Sequence, residues 1–211
     1  TYATQYTLET MGYDARIFEI TGVHRQIHIK KLLYYLGRMF DPVEFKYLVA
    51  NLKSRSRKSA SASSDQYAQD MNIRKQVYAD FNTRWNKMLP KVNGWGGLSK
   101  QAAGMDAVVV GSDQLWRPSN IVGGYFTLEF VPNQVKKIAF STSFGVPELP
   151  KHLHKHAKKF LSRINHISVR ENSGADIVMQ ECGRKATVVC DPTMMLTAED
   201  WLHIQNTKPF A

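Results

Sequence analysis

Cysteine is almost absent from this chain: Cys182 and Cys190 are the only two in 211 residues. They cannot build a disulfide framework, and neither belongs to a Cys-x-x-Cys pair, which argues against a structural zinc site. We read both as buried thiols of a reducing compartment. Long apolar runs are missing as well, since none approaches the roughly 20 residues that span a bilayer. No secretory or transit segment opens the sequence. No Gly-x-Gly-x-x-Gly follows a strand pattern, and there is no Walker sequence and no His-Glu-x-x-His, so the known dinucleotide and NTP signatures are missing. Acidic residues are scarce, 18 against 28 basic ones, which leaves a formal net charge of +10.

That charge is concentrated in NLKSRSRKSASASSDQ, Asn51 to Gln66, which is basic and then serine-rich. Such a composition buries little apolar surface and predicts a flexible, solvated excursion over about 51–69. A basic excursion could meet nucleic acid, or make peripheral contact with the anionic inner face of a membrane. Positive charge equally suits an enzyme whose substrates are small phosphorylated anions.

What is present is an alternation of elements. TYATQYTLETMGY predicts a helix ending near Gly12, and DARIFEI (Asp14 to Ile20) alternates like a strand. His28 to Tyr47 predicts one or two helices broken at Pro42, and Asp70 to Met88 another helix. NGWGGLSK reads as a turn. From Asp106 the pattern becomes regular, with AVVV (Ala107 to Val110) as a strand buried on both faces. KKIAFS (Lys136 to Ser141), HISV (His166 to Val169) and ATVVC (Ala186 to Cys190) are further strands. Helices over about Glu148 to Ile164, Ser173 to Cys182 and from Ala198 lie between or after them. Thr197 is the expected N-cap of the last, with Asp200 in its first turn. Strand–helix alternation predicts an α/β fold with a parallel sheet flanked by helices.

The four strands end in clusters of chemistry-bearing residues: Gly111-Ser112-Asp113-Gln114, Thr142-Ser143-Phe144-Gly145, Arg170-Glu171 and Asp191-Pro192-Thr193. Ligands of open α/β sheets bind outside the carboxyl ends of the strands, so these clusters should line one rim. Arg170 could grip a carboxylate or phosphate with its fork, or pair internally with Glu171 or Asp191. Ser112 or Asp113 could cap a helix, or Asp113 could bind sugar hydroxyls or act as a base. Gln114 would add an amide, and Trp116 either a face for a sugar or a core aromatic. Ser143 and Gly145 read as a small-residue turn open to a ligand or to another backbone. Gly111, Asp191 and Pro192 read as structural strand-end residues, with Asp191 holding its turn by accepting from backbone N–H groups. His152, His154 and His156 sit among lysines and predict a solvated face rather than a metal site.

Taken in order, these pieces resemble the polysaccharide pyruvyl transferase family. The resemblance is carried by DAVVVGSDQLW, YFTLEFV, KKIAFSTSFG, ISVRENSGADIV and VVCDPTMMLTAEDW, and more loosely by the opening YATQYTLETMGYDARIFEI. It implies one Rossmann-like half of a glycosyltransferase-B-like, two-domain architecture. It also implies transfer of the enolpyruvyl carbons of phosphoenolpyruvate onto sugar hydroxyls as a ketal, in surface polysaccharide assembly. Phosphoenolpyruvate would be the donor substrate, with no cofactor and no metal. Arg170, Ser112, Ser143 and Gly145 would then bind the donor, Asp113, Gln114 and Trp116 the acceptor, and Asp113 and Glu171 would move protons. The acceptor would be a sugar or lipid-linked oligosaccharide, and the setting cytoplasmic, at the inner membrane face. The chain begins at Thr1 and ends at Ala211. We expect it to be an N-terminal domain truncated at both ends, lacking the second Rossmann-like domain and holding half a site. Two other readings remain: a nucleotide-sugar enzyme of the same architecture, and, less favoured, a nucleic-acid-binding module built on Lys53 to Lys58.

Overall fold

The computed structural model describes residues 1–37 and 65–204. The basic stretch 51–64 and the continuation of the helical pattern past Gly37 lie outside the described residues. Four parallel strands form one sheet in the order β1 (Ala107–Val110), β2 (Lys136–Thr142), β3 (His166–Val169) and β4 (Thr187–Val188). Each crossover carries a helix: α5 (Pro118–Gly123) between β1 and β2, α6 (His154–Leu161) between β2 and β3, and α7 (Asn172–Cys182) between β3 and β4. Parallel strands need such crossovers, and they place every carboxyl end on the same edge of the sheet. The result is an α/β, Rossmann-like fold.

Five further helices lie among the described residues: α1 (Tyr2–Thr10), α2 (His24–Leu36), α3 (Asp65–Trp85) and α4 (Gly94–Ala102) before the sheet, and α8 (Ala198–Ile204) after it. No helix among the described residues is long and apolar enough to cross a membrane. The core runs from Val108 and Val110 on β1 through Ala139 to Ile167 and Val169 on β3. Leu149, Leu153, Phe160, Leu161 and Ile164, the apolar stripe expected before β3, are all buried. Pro150 restricts the residue before it, so that helix starts late, as a 3-10 turn at Lys151–Leu153 followed by α6.

Several expectations are corrected. NGWGGLSK is the start of helix α4, because burying Leu98 and Ala102 completely outweighs the poor helix propensity of its glycines. DARIFEI reduces to a single parallel bridge, Ile17 to Met88, held by two backbone hydrogen bonds of 2.8 Å. Asp65 to Asp70 are helical, so the excursion ends earlier than the composition suggested. β1 is buried on one face only, with Ala107 exposed and Val109 half-buried. β4 is two residues long and exposed, and Cys190 is exposed rather than buried. The helix near Ala198 follows its signals: Asp200 N–H donates to Thr197 Oγ1, and Thr197 N–H and O–H donate to Asp200.

β2 and β3 slip register between Ala139 and Thr142, where Ser141 takes φ +53°. Ser168 repairs the gap. Its Oγ accepts from Ser141 N–H at 3.2 Å and donates to Ala139 O at 3.1 Å. The irregularity lies directly before the β2 exit, where such bulges often re-aim a functional segment.

Candidate functional site

The exits of β1 and β2 are laced together by backbone. Asp113 pairs as a bridge with Thr142, Ser143 N–H donates to Asp113 O at 2.9 Å, and Trp116 N–H donates to Ser143 O at 3.0 Å. Asp113 itself sits at φ +71°, a left-handed conformation that non-glycine residues adopt at some cost and that recurs at functional sites. Its side chain is largely exposed on the rim.

Arg170, at the end of β3, joins three of the four exits. Its Nε donates to Glu171 Oε1 at 3.3 Å, its Nη1 to Asp191 Oδ2 at 3.0 Å and its Nη2 to Asp113 Oδ1 at 3.4 Å. Burial works against the guanidinium charge, but the hydrogen bonds it donates to Glu171, Asp113 and Asp191 outweigh it and hold its pKa above the ordinary value. One cation thus faces three carboxylates, an excess of negative charge. The contact to Asp113 is the longest of the three and involves the most exposed carboxylate, 79% against 42% for Glu171 and 24% for Asp191. It is the contact a ligand would displace first.

Asp191 has the most partners. Burial raises its pKa, but the N–H and O–H of Thr193, the hydroxyl of Ser112 and Arg170 together pull it below the usual carboxylate value. A carboxyl depressed in this way gives stability that is complete above its ordinary pKa of 3.8 and lost as the pH falls through the lower value. Asp191→Asn should therefore cost about 1–3 kcal/mol at neutral pH. Urea midpoints of variant and wild type should converge as the pH drops well below 3.8.

A family model described as polysaccharide pyruvyl transferase matches residues 1–210. The chain belongs to that family. No curated protein and no solved structure matches it. Membership in this pyruvyl transferase family makes a sugar or polysaccharide the acceptor class and group transfer the reaction class.

Within the family frame, the structure sorts the predicted residues. It brings together Ser112, Asp113, Arg170, Glu171 and Asp191, and it realises the internal ion pairs that sequence left open for Arg170. Asp191 caps the turn at Pro192 as expected, accepting from Thr193 N–H. Gln114 is exposed beside Gly145, where a Cβ would lie 3.0 Å from Gln114 Cδ. Two assignments are corrected. Trp116 offers no face to a sugar: it is fully buried between Phe144 and Phe160, and its Nε1–H donates to Phe126 O at 2.9 Å. Ser143 is buried, with its Oγ accepting from Gly145 N–H at 3.1 Å, so it shapes the turn rather than meeting a donor.

Trp116→Ala should accordingly cost about 3–5 kcal/mol in denaturant unfolding, as for other buried aromatics. A loss under about 1 kcal/mol would return Trp116 to the ligand side.

The histidines are not simply solvated. His156 pairs with Glu129 at 3.0 Å, His154 lies 3.5 Å from Glu181, and the His152 ring sits 5.7 Å from that of Tyr34. Each docks a different element. Among the described residues no group of three metal-ligating side chains occurs. Two depressions, about 620 Å³ beside Trp201 and about 460 Å³ between Glu129 and Lys159, are lined by none of the rim residues. The charged strand ends converge on the rim instead.

Proposed function

We propose that this chain is the N-terminal, Rossmann-like half of a two-domain enzyme that transfers the pyruvyl group of phosphoenolpyruvate onto two hydroxyls of a sugar. The observation that carries the reading is Arg170 holding Asp113, Glu171 and Asp191 at three strand exits of a chain from this family.

The reaction asks for two things that this cluster can supply. A sugar hydroxyl must lose its proton as its oxygen attacks C2 of the donor, and C3 must gain a proton to become a methyl group. A second hydroxyl then forms the other C–O bond at C2 while the C2–O bond to phosphate breaks, and the proton of that hydroxyl goes to the departing phosphate. The products are a ketal and inorganic phosphate, so atoms and charge balance. Asp113 and Glu171 are carboxylates at accessible positions, suited to accepting hydrogen bonds from the acceptor and taking its proton. The donor carboxylate would exchange for Asp113 on Arg170, since that contact is the weakest of the fork. Exchange would free Asp113 at the moment it is needed as a base. Ser112 and Asp191 act by holding Arg170 in place. Gly145, without a side chain, lets Gln114 and the stem of Arg117 lie close against its backbone. A second domain would close over this rim and complete the site, at the inner membrane face where lipid-linked sugars are presented.

Calorimetric titration of phosphoenolpyruvate into the full-length protein tests the donor. Saturable binding at micromolar to millimolar concentration supports the reading. Binding of a nucleoside diphosphate with none of phosphoenolpyruvate would assign the rim to a nucleotide-sugar enzyme.

A further inference from the structure

Around Arg170 three carboxylates gather, Glu171 and Asp191 from the β3 and β4 exits and Asp113 from the β1 exit. Two further cations stand near the β1 and β2 exits, Lys31 and Arg117, and neither has a carboxylate partner among the described residues. Among the described residues, other cations that are buried or half-buried find carbonyl partners. Lys137 donates to the carbonyls of Pro132 and Val135, and Arg163 and Arg184 donate to the carbonyls of Val131, Leu161 and Asn165.

Lys31 reaches this place from α2, which packs against α5. Gly123 permits the approach, because a Cβ there would lie 3.4 Å from Lys31 Cε. The ammonium donates to Asn120 Oδ1, and Asn120 Nδ2 donates to Gln114 O at 3.3 Å, so Lys31 is tied to the turn that carries Asp113. Arg117, three residues beyond Gln114, lays its stem over the β2 exit: a Cβ on Gly145 would come within 3.3 Å of Arg117 Cγ. Burial, and secondarily the charge of Arg117, lower the pKa of Lys31. Two neighbouring cations with no anion between them carry a repulsion that an anionic ligand would relieve.

We propose that Lys31 and Arg117 form the subsite that receives the donor's phosphate, beside the carboxylate cluster of Arg170 that receives the donor carboxylate and the acceptor hydroxyls. The assignment rests on the phosphoenolpyruvate reading above. It gives the departing phosphate two charge-assisted partners, one a point charge and one a planar fork.

The test uses the full-length protein with inorganic phosphate and with phosphoenolpyruvate, each titrated into wild type, Arg117→Gln, Lys31→Gln and Lys31→Arg. Arg117 is exposed, so its variant should fold as the wild type does. Each glutamine variant should bind phosphate and phosphoenolpyruvate about tenfold more weakly, as expected for losing a charge-assisted hydrogen bond. In turnover the donor KM should rise more than kcat falls, and Lys31→Arg should recover most of the binding. If wild type binds phosphoenolpyruvate and both glutamine variants match it, this subsite is wrong while the proposed function stands. If wild type binds phosphate but not phosphoenolpyruvate, and the glutamine variants lose phosphate, the anion site stands and the proposed donor is wrong.

Discussion

Arg170→Ala is expected to lower kcat/KM for transfer by a factor of about 100 or more, the scale seen when a preorganised charge is removed from a reacting centre. The loss should appear in both kinetic terms. The donor carboxylate loses its fork, and Asp113 and Glu171 lose the cation that orients them. Stability should fall with it. Arg170 is a quarter exposed, between a surface and a buried ion pair, and it alone counters three carboxylates. A cost of about 1–3 kcal/mol at neutral pH follows from that intermediate position. Because the cost is repulsion among carboxylates, it should shrink as they protonate in acid. Arg170→Lys separates the two effects: a point charge restores much of the stability, but it cannot hold three strand exits at once, so activity stays low. Circular dichroism melts beside initial rates would read both. Transfer by Arg170→Ala within threefold of wild type would remove Arg170 from the mechanism.

Gly111→Ala should prevent folding, or cost more than about 4 kcal/mol, the range reserved for severe steric or backbone conflicts. Gly111 has φ +149°, and a Cβ on it would lie 1.8 Å from Phe140 O and 2.8 Å from Phe140 C. Both are backbone atoms of β2, the strand paired to β1, and no side-chain rotation can make room. Gly12→Ala is the control. Gly12 also has positive φ, at +90°, but nothing lies within 4 Å of its Cβ position, so only conformational strain of about 1–2 kcal/mol applies. Soluble yield and urea midpoints of the two variants should therefore differ widely. Equal, mild effects would mean that the β1 exit does not press against β2 as described.

The sheet was readable because its signals are local. Short β-branched runs ending in Gly-Ser-Asp, Thr-Ser-Phe-Gly and Arg-Glu repeat with helical spacing between them, and parallel pairing then forces a common rim. What failed depended on partners distant in sequence. Three glycines in eight residues argue for a turn, and only the complete burial of Leu98 and Ala102 makes that segment α4. DARIFEI alternates correctly, yet it finds one bridge with Met88 instead of a strand neighbour. Ser143 and Trp116 each fit a ligand role or a structural one, and only the family resemblance assigns them to the donor and the acceptor. Their burial could not be read from the motif. Lys31 left no signal at all in its own segment, HIKKLLYYL, where it is one of two adjacent lysines followed by two leucines. Its place beside Asn120 exists only because α2 packs on α5 across 89 positions of sequence.

The most direct measurement is proton NMR of the acceptor after turnover of phosphoenolpyruvate by the full-length protein in D₂O, with phosphate release followed in parallel. The account predicts one equivalent of phosphate per acceptor modified, and a new ketal methyl group carrying one deuterium, because C3 takes its third hydrogen from a solvent-exchanged acid. Consumption of a nucleotide sugar with phosphoenolpyruvate untouched, or phosphate release with no new methyl signal on the sugar, would contradict it.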